Sequence, residues 1–322
     1  MEPLFEPITL DTITRTPLSY RNRITFECCV HVSCVIINFV FCLFFIARPN
    51  LFNSFKPTIC FVTFGTFFLS LPLSALQLYL VLKLWLDQEP LYTVTTCTFV
   101  KCVTSCTTSC SQVLPLPVSI YRYLVVVRNR KMPTRFVVVI HAAICTIFLL
   151  IALLNFPLGS FELNDQCEIL RFSKTMEAIR ISLTLGLNIL AVFINFTIYM
   201  FVTRYDRINI DVHRRRVQLT VSMLVQSTIP ILVSIPLLIG SFHFYFGFSL
   251  PSHFTSHFYA TTFVSPFFTP FSSMLSLQSL RSEMFDALSS SFCCTGTRKI
   301  SSLLILKTNR GTNHQTFDYC VS

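Results

Sequence analysis

Charge is what this chain lacks most. Asp, Glu, Lys and Arg make up 12% of its 322 residues, about half the share of an average globular domain, while 52% are hydrophobic and 34 are phenylalanine. So little polar surface cannot coat a water-facing fold of this length, which excludes an ordinary soluble domain. A glycine-rich phosphate loop, paired catalytic carboxylates and a nucleophile triad are also missing, so the chain is not expected to be an enzyme. His253 and His257 stand four residues apart without a third ligand, so no metal site is read there and no cofactor is implied. Residues 1–23 hold no apolar run and carry Glu2, Glu6 and Asp11, so no cleavable signal peptide is expected. The formal charge of +10 is spread over several short segments rather than gathered on one module, which argues against nucleic acid as a partner.

What is present is a series of seven apolar segments, at 24–47, 57–82, 92–127, 136–158, 179–202, 217–242 and 258–280. Each is long enough for the roughly 20 residues that cross a bilayer core. The expected fold is therefore all-α, an integral membrane bundle of seven helices, with residues 1–23 before it and 281–322 after it. The third segment exceeds one bilayer thickness, which predicts a tilted helix running past the lipid at its basic end. Most of the 14 cysteines, such as Cys28, Cys34, Cys42, Cys102, Cys106, Cys110 and Cys145, lie within the segments and read as buried thiols.

Seven spans put the termini on opposite sides. Lys and Arg favour cytoplasmic loops, and sixteen of them fall on the side of the carboxyl terminus against seven on the side of the amino terminus. The amino terminus is therefore expected outside, although Arg15, Arg21 and Arg23 outnumber Arg48 and Lys56 around the first span. On this topology Cys97, opening the third span, and Cys167, in the loop 159–178, are the two cysteines placed outside. An oxidising exterior would let them pair and pin that loop over the bundle; two free thiols are the alternative.

At the other end of the third span stands Tyr121-Arg122-Tyr123, with 25 residues separating Arg122 from Cys97. That spacing, the bridge to the second outer loop and the arginine next to Tyr123 resemble the third helix of rhodopsin-like G protein-coupled receptors. In that family an acidic residue precedes the arginine, and here Tyr121 takes its place. Simple snorkelling to the headgroups would also account for Arg122. A second likeness lies in the last span, where Thr269 and Pro270 resemble the family's Asn-Pro-x-x-Tyr and Ser273 stands for the tyrosine. Ten residues after Pro270, Leu280 and Arg281 fall where the family begins a short amphipathic helix, and Leu280, Met284, Phe285 and Leu288 share an apolar face. Cys293 and Cys294 follow it, as palmitoylation sites or as ordinary reduced cysteines. Pro230 occupies the place of the family's sixth-helix proline, with Thr228 where a tryptophan is usual. The phenylalanine-rich spans, short loops and altered motifs look more like the nematode serpentine chemoreceptor families than like mammalian hormone receptors.

The resemblance implies a chemosensory receptor at the plasma membrane, in a sensory cilium, that binds a small molecule such as an odorant or pheromone and activates a heterotrimeric G protein. It places the ligand between the outer halves of the third, fifth, sixth and seventh spans, with Lys101 and Thr104 on the wall; snorkelling is the other reading of Lys101. Arg122, Tyr123, Arg128, Arg214, Arg215 and Arg216 would meet the G protein, and Pro230, Pro236 and Pro270 would act as hinges, or merely shape the bundle. Asn38, Gln112, His141, Asn155, Asn188, Asn195 and Gln226 are expected to bridge helices. A seven-span ligand-gated cation channel of inverted topology is the rival reading.

Overall fold

The computed structural model describes residues 9–47, 56–130, 132–163, 167, 169–205 and 210–246, together with Phe268 and Phe271. Among them, six helical stretches are long and apolar enough to cross a membrane. These are α1 (Arg21–Ala47), α2 (Lys56–Trp85), a third span built of α3 (Val94–Gln112) and α4 (Pro115–Arg122), a fourth built of α5 (Arg135–Leu153) and α6 (Asn155–Leu158), α7 (Lys174–Tyr205) and α8 (Ile210–Phe246). The seventh expected span at 258–280 lies outside the described residues apart from Phe268 and Phe271, as do the amphipathic helix and tail.

The third span corrects one expectation, because it is broken rather than simply long. Pro115 and Pro117 lack an N–H, and their rings crowd the carbonyls of Ser111 and Val113, so α3 stops at Gln112 and α4 restarts with Pro115 in its first turn. Beyond Arg122 the helix widens into a π-helical turn, Tyr123–Val127. The fourth span breaks for the same reason. α5 ends at Leu153, the residue whose carbonyl Pro157 would crowd, and α6 is a single turn. By contrast α8 runs unbroken through Pro230 and Pro236, with the Ser234 hydroxyl bonded back to the Pro230 carbonyl.

Two short antiparallel sheets, which an all-α reading omits, sit at the end of the bundle where α3 begins. Strand β1 (Ile13–Arg15) pairs with β2 (Leu91–Thr93), and β3 (Ser160–Leu163) pairs with β4 (Ile169–Phe172). Thr93, the last residue of β2, caps α3 by accepting a hydrogen bond from the Thr96 amide. The two sheets are joined by the Ile169 amide, which donates to Thr14 Oγ1 at 2.9 Å.

Packing runs inside out relative to a water-soluble bundle. Phe26, Phe39, Phe68, Val139, Leu150 and Phe193 are among the large apolar side chains left exposed, whereas Glu27, Asn38, Gln77, Arg122, Asn188 and Asn195 are buried. An apolar exterior around a polar interior is the arrangement lipid favours, since polar groups must then find partners within the protein. The central core joins α3, α4, α5 and α7 through Cys110, Val113, Leu116, Ile144, Phe148 and Ala191. Gly65 lets α2 approach the break in the third span, because a Cβ there would lie 2.8 Å from Leu114 Cδ2.

Candidate functional site

Two polar groups stand apart from this packing, one toward each end of the third span. At the sheet end, Cys97 is disulfide-bonded to Cys167 with their Cα atoms 6.6 Å apart, as expected. Cys97, Cys167 and Leu170 are buried together against Tyr92 and Phe172, so the β3–β4 hairpin is held down on the bundle. Main-chain amides of β4 and its exit reinforce it. Arg171 N donates to Thr98 Oγ1 at 3.0 Å, and Ser173 N donates to Asn155 Oδ1 at 2.9 Å. The hairpin begins at Gly159, where a Cβ would stand 2.3 Å from the Asn155 carbonyl oxygen and 2.9 Å from Phe172 N.

Lys101 and Thr104, expected to share one ligand pocket, face two recesses instead. Three residues apart, they are offset by about 60° around the helix axis, and α3 has different neighbours on those two faces. Thr104 opens on a recess of about 420 Å³ with Thr16, Gln77, Tyr92 and the disulfide. The Tyr92 phenol there is pushed up to about 12, mainly by burial and further by Tyr79. Lys101, half-buried, lines a recess of about 300 Å³ with Ser105, Asn155, Arg171, Glu177 and Arg180.

The Lys101 recess is built around a buried ion pair. Arg180 Nε donates to Glu177 Oε2 at 2.7 Å and Nη2 donates to Oε1, a bidentate grip on α7. Arg180 Nη1 also donates to Ser109 Oγ, which ties α7 to α3. Nearby, Arg23 Nε bonds Glu27 Oε1 at 3.1 Å and Gln77 Nε2 donates to Glu27 Oε2 at 3.2 Å, joining α1 to α2. Sequence reasoning passes over Glu27, which sits inside an apolar run, and assigns Arg180 to the preceding loop. The signal that finds the second pair is Glu177 three residues ahead of Arg180, on one helix face.

At the opposite end Arg122 is buried, with 4% of its surface exposed, and its Nη2 donates to Thr220 Oγ1 of α8 at 2.9 Å. Its Nε and Nη1 have no hydrogen-bond partner among the described residues. The guanidinium therefore points into the bundle, which overturns the snorkelling alternative. Three residues before Arg122, Ser119 Oγ of α4 accepts from Asn195 of α7 at 2.8 Å, and Asn195 also reaches Ser227 Oγ of α8 at 3.3 Å. Tyr123 opens the π-helical turn and Arg128, exposed, lies 5.9 Å from its ring centroid. Arg214, Arg215 and half-buried Arg216 fall in the second turn of α8, and the Arg216 carbonyl accepts from Thr220. Pro230 is buried on the same helix. Pro270, Cys293, Cys294, His253 and His257 lie outside the described residues.

Of the residues expected to bridge helices, Asn195 does so, and Asn155 accepts from the Ser173 amide just ahead of α7. Asn188 instead donates within its own helix, to the Thr184 carbonyl, and Asn38 donates to the Cys34 carbonyl one turn back. His141 meets Cys145 one turn on and places its ring edge-on to Phe61 of α2.

Residues 4–206 match the model of a family described as "protein of unknown function (DUF1182)". The match covers more than half of the chain. The chain belongs to the DUF1182 family. The family segment takes in α1 to α7, and with them the disulfide, both recesses, Arg122 and Asn195. The chain is also 64% identical over 316 residues to the uncharacterized protein ZK757.1 of Caenorhabditis elegans, an alignment spanning 98% of this chain and 99% of that protein.

Proposed function

We propose that this DUF1182 protein is a seven-span chemosensory receptor in the plasma membrane, with its amino terminus outside, that binds a small molecule and activates a heterotrimeric G protein. The observation that carries the reading is the third span, which bears a disulfide-anchored hairpin at one end and a buried arginine bonded to α8 at the other. A nematode protein as relative agrees with the chemoreceptor families that the sequence resembles.

Orientation draws support from the sheet end, where three cations that oppose the charge bias each meet a carboxylate. Arg15 pairs with Glu89 at 2.9 Å, Arg21 with Asp87 at 3.3 Å and Arg23 with Glu27 at 3.1 Å. On this reading Arg122 and Thr220 hold α4 against α8 in the resting state. A ligand that binds the open arrangement more tightly shifts the balance, and only that difference in affinity does work. The separation of α8 from Arg122 would then open a cavity bordered by Arg128 and Arg214 to Arg216 for the G protein.

The test is epitope tagging at both termini of the full chain, read in intact and permeabilised cells, followed by G protein turnover with a panel of volatiles and metabolites. Staining of the amino-terminal tag alone in intact cells, with turnover that Arg122→Ala lowers at equal surface expression, is the expected result. Staining of the carboxyl-terminal tag alone overturns the receptor reading.

A further inference from the structure

We propose that the Thr104 recess binds a short neutral alcohol of the size of methanol or ethanol. The proposal rests on the receptor reading for the biological role of the recess, and on two orphaned polar atoms in its wall for its chemistry.

The recess lies between α2, α3 and β2, with the Cys97–Cys167 disulfide in its wall. Two of its polar side chains are unsatisfied. Gln77 of α2 is buried, with 3% of its surface exposed, and its Nε2 donates to Glu27 Oε2 at 3.2 Å. A carboxylate only accepts, so this bond commits the amide nitrogen to Glu27 and leaves Oε1 as the atom that Gln77 offers the recess. That oxygen has no hydrogen-bond partner among the described residues. Tyr92 of β2 lines the same recess, and its buried hydroxyl has no partner there either. Burial pushes the phenol up to about 12, so it remains protonated and able to donate at neutral pH. An orphaned acceptor and an orphaned donor thus share one recess, and each is costly until a second molecule answers it.

A hydroxyl answers both, because its O–H donates to Gln77 Oε1 while its oxygen accepts from Tyr92. A group that only accepts, such as a nitrile or an ether, leaves Gln77 Oε1 orphaned. Among the described residues that line the recess none is charged, so an ammonium or a carboxylate would give up hydration without meeting an opposite charge on the wall. Leu76, Leu80 and Val100 form the apolar side of the recess, which favours a methyl or ethyl group over the second O–H of a water molecule. The free space holds about two or three water-sized groups, and this limits the occupant to roughly that many non-hydrogen atoms.

The experiment uses the full chain in nanodiscs of neutral phosphatidylcholine, with thermal unfolding followed by a thiol-reactive dye. Methanol and ethanol are compared with acetonitrile, which matches ethanol in size but only accepts, with methylammonium and formate, and with 1-hexanol, which exceeds the recess. A ligand of about three non-hydrogen atoms reaches roughly millimolar affinity at best, so the titration extends to about a hundredfold higher concentration. Ethanol should raise the midpoint by mass action, with at least about a tenfold weaker effect from acetonitrile, methylammonium and formate. 1-Hexanol partitions more strongly into the bilayer and should give no rise. Tyr92→Phe should keep the midpoint of the alcohol-free protein near the wild-type value, since the hydroxyl has no partner to lose, and should raise the half-effective ethanol concentration about tenfold. Ser105→Ala, in the other recess, should leave that concentration unchanged. Equal shifts from ethanol and acetonitrile on the native protein overturn the proposal, even where Tyr92→Phe does not fold, and so do shifts that grow with chain length up to hexanol. A wild-type ethanol response in folded Tyr92→Phe does the same. G protein turnover driven by another compound, with no ethanol-induced shift, would overturn this proposal and keep the receptor reading. An ethanol-induced shift without turnover by any compound would do the reverse.

Discussion

Thr220→Val is the sharpest probe of the buried arginine, because it removes one oxygen and keeps the shape of the side chain. In the folded protein that oxygen accepts from Arg122 Nη2 at 2.9 Å and donates to the Arg216 carbonyl at 2.8 Å. The second bond is local to α8 and weak. The first comes from a charged donor, for which about 1.5–3 kcal/mol is typical. Arg122 Nε and Nη1 have no partner among the described residues, so the valine leaves the guanidinium with no described acceptor at all. The expected loss is about 1.5–3 kcal/mol from the arrangement that holds α4 against α8, which corresponds to roughly a tenfold to hundredfold change in population. Thermal unfolding of the purified chain should shift down, and on the receptor reading ligand-independent G protein turnover should rise. Thr220→Ser keeps the hydroxyl and should match the wild type in both. Arg122→Met combined with Thr220→Val should be less destabilised than the sum of the single changes, since removing both partners leaves no orphaned charge. Wild-type midpoint and wild-type basal turnover in Thr220→Val would refute the latch.

Other expectations follow from the sheet end and the core. Cys97→Ala with Cys167→Ala opens a loop closed over a sequence separation of 70, and chain entropy sets the loss at up to about 4 kcal/mol; calorimetry with and without reductant checks it, and the double variant should no longer respond to reductant. Gly159→Ala forces a Cβ against two backbone atoms and should cost about 1–3 kcal/mol, read as faster hydrogen exchange confined to the β3–β4 hairpin. Glu177→Leu strands Arg180 in a buried site and should cost about 3–5 kcal/mol, with Arg180→Met recovering part of it in the double variant. Asn195→Leu loses the bond to Ser119 Oγ and should cost about 0.6–1.7 kcal/mol by thermal unfolding.

The long apolar helices were legible because a bilayer core calls for about 20 apolar residues per helix, and that requirement writes itself into composition. The break at Val113–Leu114 was legible in part: Pro115 and Pro117 were visible, but a run apolar from 92 to 127 reads equally as one tilted helix until the crowded carbonyls are placed. Cys97 and Cys167 could be paired because they are the two thiols that the expected topology places outside. The ion pairs were harder to see. Glu27 sits where an apolar window averages it away, and its partner Gln77 is 50 residues distant; Arg180 grips Glu177 on its own helix but also reaches Ser109 on α3. Strands of three or four residues, like β1 and β2, draw their hydrogen bonds from a partner far along the chain, so no local pattern announces them. Asn188 shows a further limit. A buried amide is easily recognised, but whether it bonds across helices or back to its own carbonyl depends on how closely the neighbouring helix approaches.

On the receptor reading, a signal crossing this bundle cannot travel along the third span as a rigid rod, because α3 and α4 are separate pieces. The two pieces also have different attachments. α3 is tied to α5 by the Cys102 thiol on the Ala152 carbonyl and to α7 by Arg180 on Ser109. α4 is tied to α8 by Arg122 on Thr220 and to α7 by Asn195 on Ser119. Of these hydrogen-bonded partners only α7 takes part in both sets, although α5 also packs against both pieces, and α7 is a single unbroken helix from Lys174 to Tyr205. From Arg180 to Asn195 it spans about 22 Å at 1.5 Å per residue. A packed helix of that length moves as a unit, so displacement of Glu177 and Arg180 at the recess must appear at Asn195, where the amide grips α4 and α8 together. On the receptor reading α7 is therefore the coupling element, and the break in the third span is what lets α4 follow α7 while the disulfide keeps the top of α3 fixed.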